Sequence, residues 1–203
     1  GLYRRALPSL VRLRAVPQLA AVFSEMSNIH RDRGHLQRAI ILQRMSNLIR
    51  SYLKDLKGKA ICDNQLSILY RSLQFRKRAL KYSRSAESYW RKTEDIVNLA
   101  KTLVTQGNIY VHMKQPEKAL RCFDESLEIN NRIGDLGEAA SSLAGKARAN
   151  ALLKKYSLAK ELLEEAISLR LRWGDRRIGI EYENMGHLYE EQGDFYLAIG
   201  WYK

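Results

Sequence analysis

Small and apolar residues recur along the chain at a nearly constant interval. Alanines in similar surroundings follow one another at spacings of 40, 40, 40 and 39 residues: Ala39, Ala79, Ala119, Ala159 and Ala198. A second small residue stands twelve positions before each of them: Ser27, Ser67, Gly107, Ala147 and Gly186. Two helices approach closely only where the side chains at their crossing are small. The pattern therefore predicts five pairs of antiparallel helices, each crossing at one such residue and one alanine.

Large apolar residues fill the intervals at steps of three and four positions, which is the period of a helix face. The predicted first helices of the pairs lie near 19–32, 59–73, 98–113, 138–153 and 178–192. The predicted second helices lie near 35–53, 75–93, 116–133, 156–172 and 194–203. Short turns are expected within each pair, and longer turns, such as 55–58, between successive pairs.

These pairs define a predicted series of repeats, which are 19–58, 59–98, 99–138, 139–177 and a truncated fifth, 178–203. We expect residues 1–18 to be the tail of a truncated preceding repeat or an N-terminal extension. Their four arginines and their lack of acidic residues also resemble a targeting segment. A solenoid needs polar caps, and neither end has one. The expectation is a window from a longer array, in which neighbouring repeats would pack against this one.

The small residue, an aromatic residue three positions later and the alanine of the second helix resemble the signature of the tetratricopeptide repeat (TPR) family. The likeness is best in the third unit, GNIYVHMKQPEKALRCFDESLEI, and in the fifth, NMGHLYEEQGDFYLAIGWY. It is weakest in the second, where Asp63 replaces an apolar residue and Ser83 a large one. The resemblance implies an all-α fold, a TPR superhelical solenoid of antiparallel helix pairs. The 40-residue unit looks like those of Pins-type adaptors and MalT-type sensor arrays.

Composition agrees with a helical globular chain. Of the 203 residues, 45% are hydrophobic and 28% charged, with only 12 glycines and 3 prolines. Two cysteines, Cys62 and Cys122, cannot build a disulfide scaffold. A reducing intracellular compartment is therefore expected, cytoplasmic first, with cytoskeletal or ciliary locations as alternatives. No stretch of the sequence approaches the length of a membrane span. The net charge of +13 points to anionic partners.

The sequence carries none of the motifs that would indicate catalysis or metal binding. It has no GxxxxGK[ST] or GxGxxG phosphate loop, no HExxH pair and no CxxC spacing. Adjacent acids such as Glu164 and Glu165 point apart on a helix, whereas general acid–base catalysis needs groups that converge on a substrate. We expect a non-catalytic protein without a cofactor or a metal ion.

The resemblance implies that the first helices line a concave groove, where such arrays bind an extended peptide or a helix. Asn amides can pair with a ligand backbone, and Arg can hold a carboxylate with two parallel hydrogen bonds. We expect the groove of a scaffold or adaptor that binds an acidic or amphipathic segment of a partner protein. The predicted partner-binding residues are Asn28, Arg31, Asn64, Arg71, Lys101, Asn108, Arg148 and His187.

Two alternative functions stay open. A basic patch on the second helix of the second repeat could bind a nucleic acid or another anionic polymer; its residues are Arg76, Lys77, Arg78, Lys81 and Arg84. Interleaved aromatic residues could stack on bases, or could instead pack between repeats: Tyr82, Tyr89 and Trp90. The chain could also be the sensor array of a larger regulatory protein.

Overall fold

The computed structural model describes residues 16–174 and 176–202, and this part of the chain is entirely helical. It divides into two compact units, residues 1–94 (unit 1) and 95–203 (unit 2). Unit 1 contains α1 (Val16–Asp32), α2 (Leu36–Tyr52), α3 (Leu56–Ser72) and α4 (Arg76–Lys92). Unit 2 contains α5 (Ile96–His112), α6 (Pro116–Ile133), α7 (Leu136–Leu152), α8 (Tyr156–Trp173), a 3-10 turn (Arg176–Ile178), α9 (Gly179–Gln192) and α10 (Phe195–Trp201).

The predicted alternation of first helices (α1, α3, α5, α7, α9) and second helices (α2, α4, α6, α8, α10) is confirmed. Four first helices begin about three residues before the predicted repeat starts, at Val16, Leu56, Ile96 and Leu136. Residues 16–18 therefore belong to α1. The rest of the predicted segment 1–18 lies outside the described residues.

The turns between helices are shorter and more uniform than expected. The prediction of a longer turn over 55–58 is wrong, because α3 begins at Leu56. A residue with positive φ recurs in the turns at intervals of about twenty: Gly34, Lys54, Gln74, Glu94, Lys114, Gly134, Lys154, Gly174 and Gly193. Such a left-handed residue ends a helix in one step. Five of these nine positions have a side chain and adopt this backbone at a steric cost.

Aspartates begin three of the first helices. The Asp55 carboxylate accepts a hydrogen bond from the Gly58 backbone N–H at 2.8 Å, which satisfies a free amide in the first turn of α3. Asp95 and Asp135 cap α5 and α7 in the same way. No side chain caps the second helices α2, α4, α6 and α8. The cap explains why residues that read as a turn in the sequence are helical.

The predicted crossings of small residues are also confirmed. All five alanines of the second helices are buried. In the first pair, the Ser27 hydroxyl donates to the Ala39 carbonyl oxygen at 2.9 Å. In the third pair, a Cβ added at Gly107 would lie 2.6 Å from ring atoms of Phe123. A Cβ at Gly145 would overlap the same ring, so Phe123 is wedged between α5 and α7.

Asp63, the residue that weakens the sequence pattern in the second repeat, is buried in unit 1 among three donors. Its carboxylate accepts from Asn47 Nδ2 at 2.7 Å and from Ser85 Oγ at 2.7 Å. Lys59 Nζ lies 2.6 Å away on the same helix as Asp63. Polar partners from α2, α3 and α4 therefore occupy a place where the pattern predicted apolar packing.

Candidate functional site

Two first helices of unit 2, α5 and α7, carry three residues each at matching positions of the repeat. Val104, Asn108 and Val111 follow one another at helical spacing on α5, and Ala144, Arg148 and Ala151 do so forty residues later on α7. Arg148 Nη2 donates a hydrogen bond to Asn108 Oδ1 across the two helices. The structure therefore brings together two of the residues that the sequence predicted for binding. We call these six residues the unit 2 first-helix face.

This face combines a fixed cation with an apolar border. Asn108 and Arg148 are partly exposed, as are Val104, Val111 and Ala151. Lys101 is exposed on α5, two helical turns before Asn108. The guanidinium of Arg148 carries a positive charge, and such a group binds carboxylates well. The arrangement can hold a carboxylate beside apolar side chains.

His187 lies on α9, the third first helix of unit 2, among acidic residues. Its Nδ1 is 3.1 Å from Glu190 Oε2, and its Nε2 is 3.8 Å from Glu183 Oε1. The Tyr202 hydroxyl is also 3.1 Å from His187 Nδ1. Burial and a hydrogen bond with Glu190 raise the pKa of the Tyr202 phenol. His187 therefore forms part of an acidic cluster, whereas Lys101 and Arg148 are basic.

In unit 1, Arg31 on α1 interacts with α3. Its Nη1 donates to Gln65 Oε1 at 3.2 Å, and its Nη2 lies 3.0 Å from the carboxylate of the adjacent Asp32. Gln65 was not predicted as a site residue. A signal existed in the repeat register, because Gln65 lies two residues before the small residue Ser67 and next to the predicted Asn64.

The other predicted residues of unit 1 are partly buried. Asn28, Asn64 and Arg71 all have intermediate exposure. Burial lowers the pKa of the Arg71 guanidinium from its ordinary value. Among the described residues, Asn64 Oδ1 is buried and has no hydrogen-bond partner. All four predicted residues in this unit, Arg31 included, therefore give part of their surface to packing.

The five residues of the basic patch are all exposed on α4. The Arg78 guanidinium lies 5.5 Å from the centre of the Phe75 ring and 5.9 Å from that of Tyr70, which is cation–π distance. Arg76 also bonds to Gln74 Oε1 at 3.0 Å. The remaining members, Lys77, Lys81 and Arg84, form a row along the helix.

The aromatic residues interleaved with this patch are engaged in packing. The Tyr82 ring stacks on Tyr70 with ring centres 5.5 Å apart, and Tyr89 meets Trp90 edge to face. Trp90 is only 1% exposed, so a base could not stack on it. Burial and the neighbouring Tyr70 raise the pKa of the Tyr82 phenol, while Arg44 acts in the opposite direction.

Other kinds of site were also considered from the side chains and helices of the described residues. These residues contain no cluster of three or more His, Cys, Asp or Glu side chains arranged to hold a metal ion. Within the same residues, every helix is too short or too polar to cross a membrane. Cys62 and Cys122 are both free and buried.

Comparison with known proteins gives one family. Residues 98–172 match the family model described as tetratricopeptide repeat. No curated protein matches the sequence.

Solved structures match most of the chain. A Rap protein complexed with competence and sporulation factor has a TM-score of 0.82 at 14% identity, covering 91% of this chain. The chain spans about half the length of that protein, 52%. BtubC (BKLC) from P. vanneervenii has a TM-score of 0.73 at 18% identity, over 98% of this chain and 85% of that one. A putative kinesin light chain from Podosopora anserina with nearly identical TPR-like repeats gives 0.70 at 14%, over 92% of both.

Helix pairs in a fixed register, with small residues at every crossing, define a helical repeat protein of the solenoid class. The comparisons narrow this class: residues 98–172 match the tetratricopeptide repeat family, and solved structures with TPR-like repeats share the fold over most of the chain. Proteins of this family generally act as scaffolds for protein–protein interaction and are generally non-catalytic. The finer resemblance to Pins-type or MalT-type arrays stays a prediction.

Proposed function

We propose that the unit 2 first-helix face binds a segment of a partner protein that carries a carboxylate beside apolar side chains. The observation behind the proposal is the hydrogen bond from Arg148 to Asn108, which joins two adjacent first helices. That bond holds the guanidinium on the surface before any ligand arrives. A pre-positioned donor loses less side-chain entropy on binding than a free one.

The chemistry of the partner follows from the residues around this bond. A carboxylate can pair with the positive charge of the Arg148 guanidinium, and Lys101 adds an exposed positive charge two helical turns before Asn108. Val104, Val111 and Ala151 offer partly exposed apolar surface to the other side of the segment. An extended acidic peptide or an amphipathic helix has this mixture of groups.

Two further points support a scaffold or adaptor role. The Rap protein of similar fold was solved in complex with competence and sporulation factor, so this fold can accommodate a bound factor. In unit 1, we propose a corresponding face that includes Asn28, Arg31, Asn64 and Arg71. We place the function in a reducing intracellular compartment, cytoplasmic first, since both cysteines are free thiols.

The test is affinity capture of partners from a cell lysate, with and without nuclease. The variant is Lys101→Glu with Arg148→Glu, and a milder pair, Lys101→Gln with Arg148→Gln, guards against loss of folding. The matched control is Arg121→Glu with Lys160→Glu, two exposed positions on the second helices of unit 2 that change the net charge equally. Circular dichroism checks that every variant keeps its helices.

A protein partner that resists nuclease and is captured at least tenfold less by both variants of Lys101 and Arg148, but not by the control, would support the proposal. If the control variant captures equally little partner, the change in net charge alone would explain the effect, and the proposal would be overturned. Capture that disappears with nuclease and ignores Lys101 and Arg148 would replace the proposal with the nucleic-acid alternative. Partner binding that the variants do not change would contradict it.

A further inference from the structure

The second helices of unit 1 carry an unusual excess of positive charge. Helices α2 and α4 contain one acidic residue, Glu87, and ten basic ones: Arg38, Arg44, Arg50, Arg76, Lys77, Arg78, Lys81, Arg84, Arg91 and Lys92. The corresponding helices of unit 2, α6 and α8, contain six basic and seven acidic residues. The repeat fold itself therefore does not require this charge.

Contacts within unit 1 show that α2 and α4 both pack against α3 and meet at Asp63. The buried Asp63 carboxylate accepts from Asn47 on α2 and from Ser85 on α4. Asn47 Nδ2 and Ser85 Oγ each lie 2.7 Å from an oxygen of this one carboxylate, so the two helices approach each other there. The two helices therefore flank the same part of α3, and we call their exposed basic residues the unit 1 basic face.

Few acidic groups neutralise this face. Within the part of the chain that the structure describes, Arg38, Lys77 and Lys81 are exposed and form no ion pair. Glu87 pairs with Arg91 at 2.9 Å. Asp63 lies beneath the surface and is already occupied by Lys59, Asn47 and Ser85. The positive potential of the exposed cations is left for a ligand from solution.

Exposed apolar side chains accompany these cations. Ile41 is 59% exposed and lies one helical turn from both Arg38 and Arg44. Phe75 is 51% exposed directly before α4, beneath the Arg78 guanidinium. Aromatic rings that could stack on bases are engaged elsewhere, since Trp90 is buried and Tyr82 stacks on Tyr70. The mixture of cations and apolar groups matches an acidic polypeptide better than a nucleic acid.

We infer that the unit 1 basic face is a second binding surface, separate from the first-helix faces, for an acidic polypeptide segment with interspersed apolar side chains. Helix α4 has 17 residues and is about 25 Å long, so an extended segment of about eight residues would follow it. Carboxylates of the segment pair with Lys77, Lys81 and Arg38. Its apolar side chains contact Ile41 and Phe75.

The test uses the full chain and a fluorescein-labelled peptide in which glutamate alternates with leucine. Fluorescence anisotropy compares wild type with the Arg38→Glu, Lys77→Glu, Lys81→Glu variant. The matched control reverses three exposed cations on the second helices of unit 2, Lys118→Glu, Arg121→Glu and Lys160→Glu. Duplex DNA and vesicles containing phosphatidylserine serve as competing anionic probes, and an Ile41→Ser variant tests the apolar contact.

The expected result is at least tenfold weaker peptide binding for the unit 1 variant, no more than twofold for the control, and a several-fold loss for Ile41→Ser. Affinity should also fall steeply as salt is added. Equal weakening by the two triple variants would overturn the proposal, since net charge alone would explain it. DNA or vesicles that bind tightly through Arg38, Lys77 and Lys81 while the peptide does not would overturn it in favour of that ligand.

Discussion

The two units use the same repeat register but fill one buried position differently. In unit 2 this position holds Phe123, wedged between Gly107 and Gly145. Eighty residues earlier, in unit 1, it holds Gln43, which is 1% exposed. Neither amide atom of Gln43 has a hydrogen-bond partner among the described residues. The small residues at the crossings are therefore enough to define the helix pairs. The buried position held by Phe123 or Gln43 accepts either an aromatic ring or a polar amide.

The two units also differ in how a buried charged side chain is paired. In unit 2, Arg170 and Glu181 form an ion pair at 3.1 Å in which both side chains are almost completely buried. Arg170 Nη2 also donates to Ser141 Oγ at 2.8 Å. In unit 1, the buried Asp63 faces a lysine that is about one-third exposed, 32%. The partners of Asp63 can turn to water if the contact is lost, whereas those in unit 2 cannot.

The largest predicted effect is the loss of the buried pair in unit 2. Arg170→Ala leaves the Glu181 carboxylate buried without its guanidinium and should reduce the free energy of unfolding by about 3–5 kcal/mol. Guanidinium denaturation followed by circular dichroism measures this change. The control is Arg177→Ala, which breaks the more exposed pair with Glu138 and should cost below about 1 kcal/mol. Similar decreases in the free energy of unfolding for both variants would show that the buried pair contributes no more to stability than the exposed pair.

A smaller effect is expected where Phe123 is wedged. Gly145→Ala adds a methyl group that overlaps the Phe123 ring, and overpacking of this kind costs about 1–3 kcal/mol. Thermal unfolding of Gly145→Ala and of Gly200→Ala gives the comparison, because a Cβ at Gly200 has no atom within 4 Å. Adding Phe123→Leu should recover part of the loss at position 145. If Gly145→Ala is as stable as wild type, the Phe123 ring is not tightly packed against Gly145.

In unit 1, the corresponding experiment replaces the buried polar side chain of Gln43 with an apolar one. Gln43→Leu replaces two unpartnered buried polar atoms with an apolar side chain of similar size. We expect the free energy of unfolding to increase by about 1–2 kcal/mol, the desolvation cost that the amide no longer incurs. The matched control is Gln37→Leu on the same helix, an exposed position where little change is expected. Destabilisation by Gln43→Leu would mean that the amide has a partner in solution, such as a buried water.

The smallest effect concerns the turns. Lys154 has φ of 59°, and glycine adopts this left-handed backbone without the steric cost of a side chain. Lys154→Gly should be neutral or stabilising by up to about 1 kcal/mol, because the added freedom of glycine in the unfolded chain offsets part of the gain. The opposite change, Gly134→Ala, should destabilise by about 1 kcal/mol at φ of 74°. Melting temperatures that move in the reverse directions would contradict the turn geometry.

The helix pairs and their crossings could be predicted from the sequence because one small residue and one alanine recur in every repeat. The lengths of the turns could not, since non-glycine residues such as Lys54 and Gln74 occupy the left-handed positions. Asp63 departs from the apolar pattern of the repeat. Its partners Asn47 and Ser85 lie on two other helices, and nothing in the repeat pattern pairs them with Asp63. The Asn108–Arg148 contact was accessible from the register, as the two residues are forty positions apart.

Photo-crosslinking can show directly whether a partner protein binds the unit 2 first-helix face. A photoreactive amino acid placed at Val111, within that face, is compared with one at Leu158, exposed on the second helix α8. We expect a crosslinked protein partner from position 111 that disappears when Arg148→Glu is added, and none from position 158. The same partner crosslinked from position 158 but not from 111 would contradict this expectation.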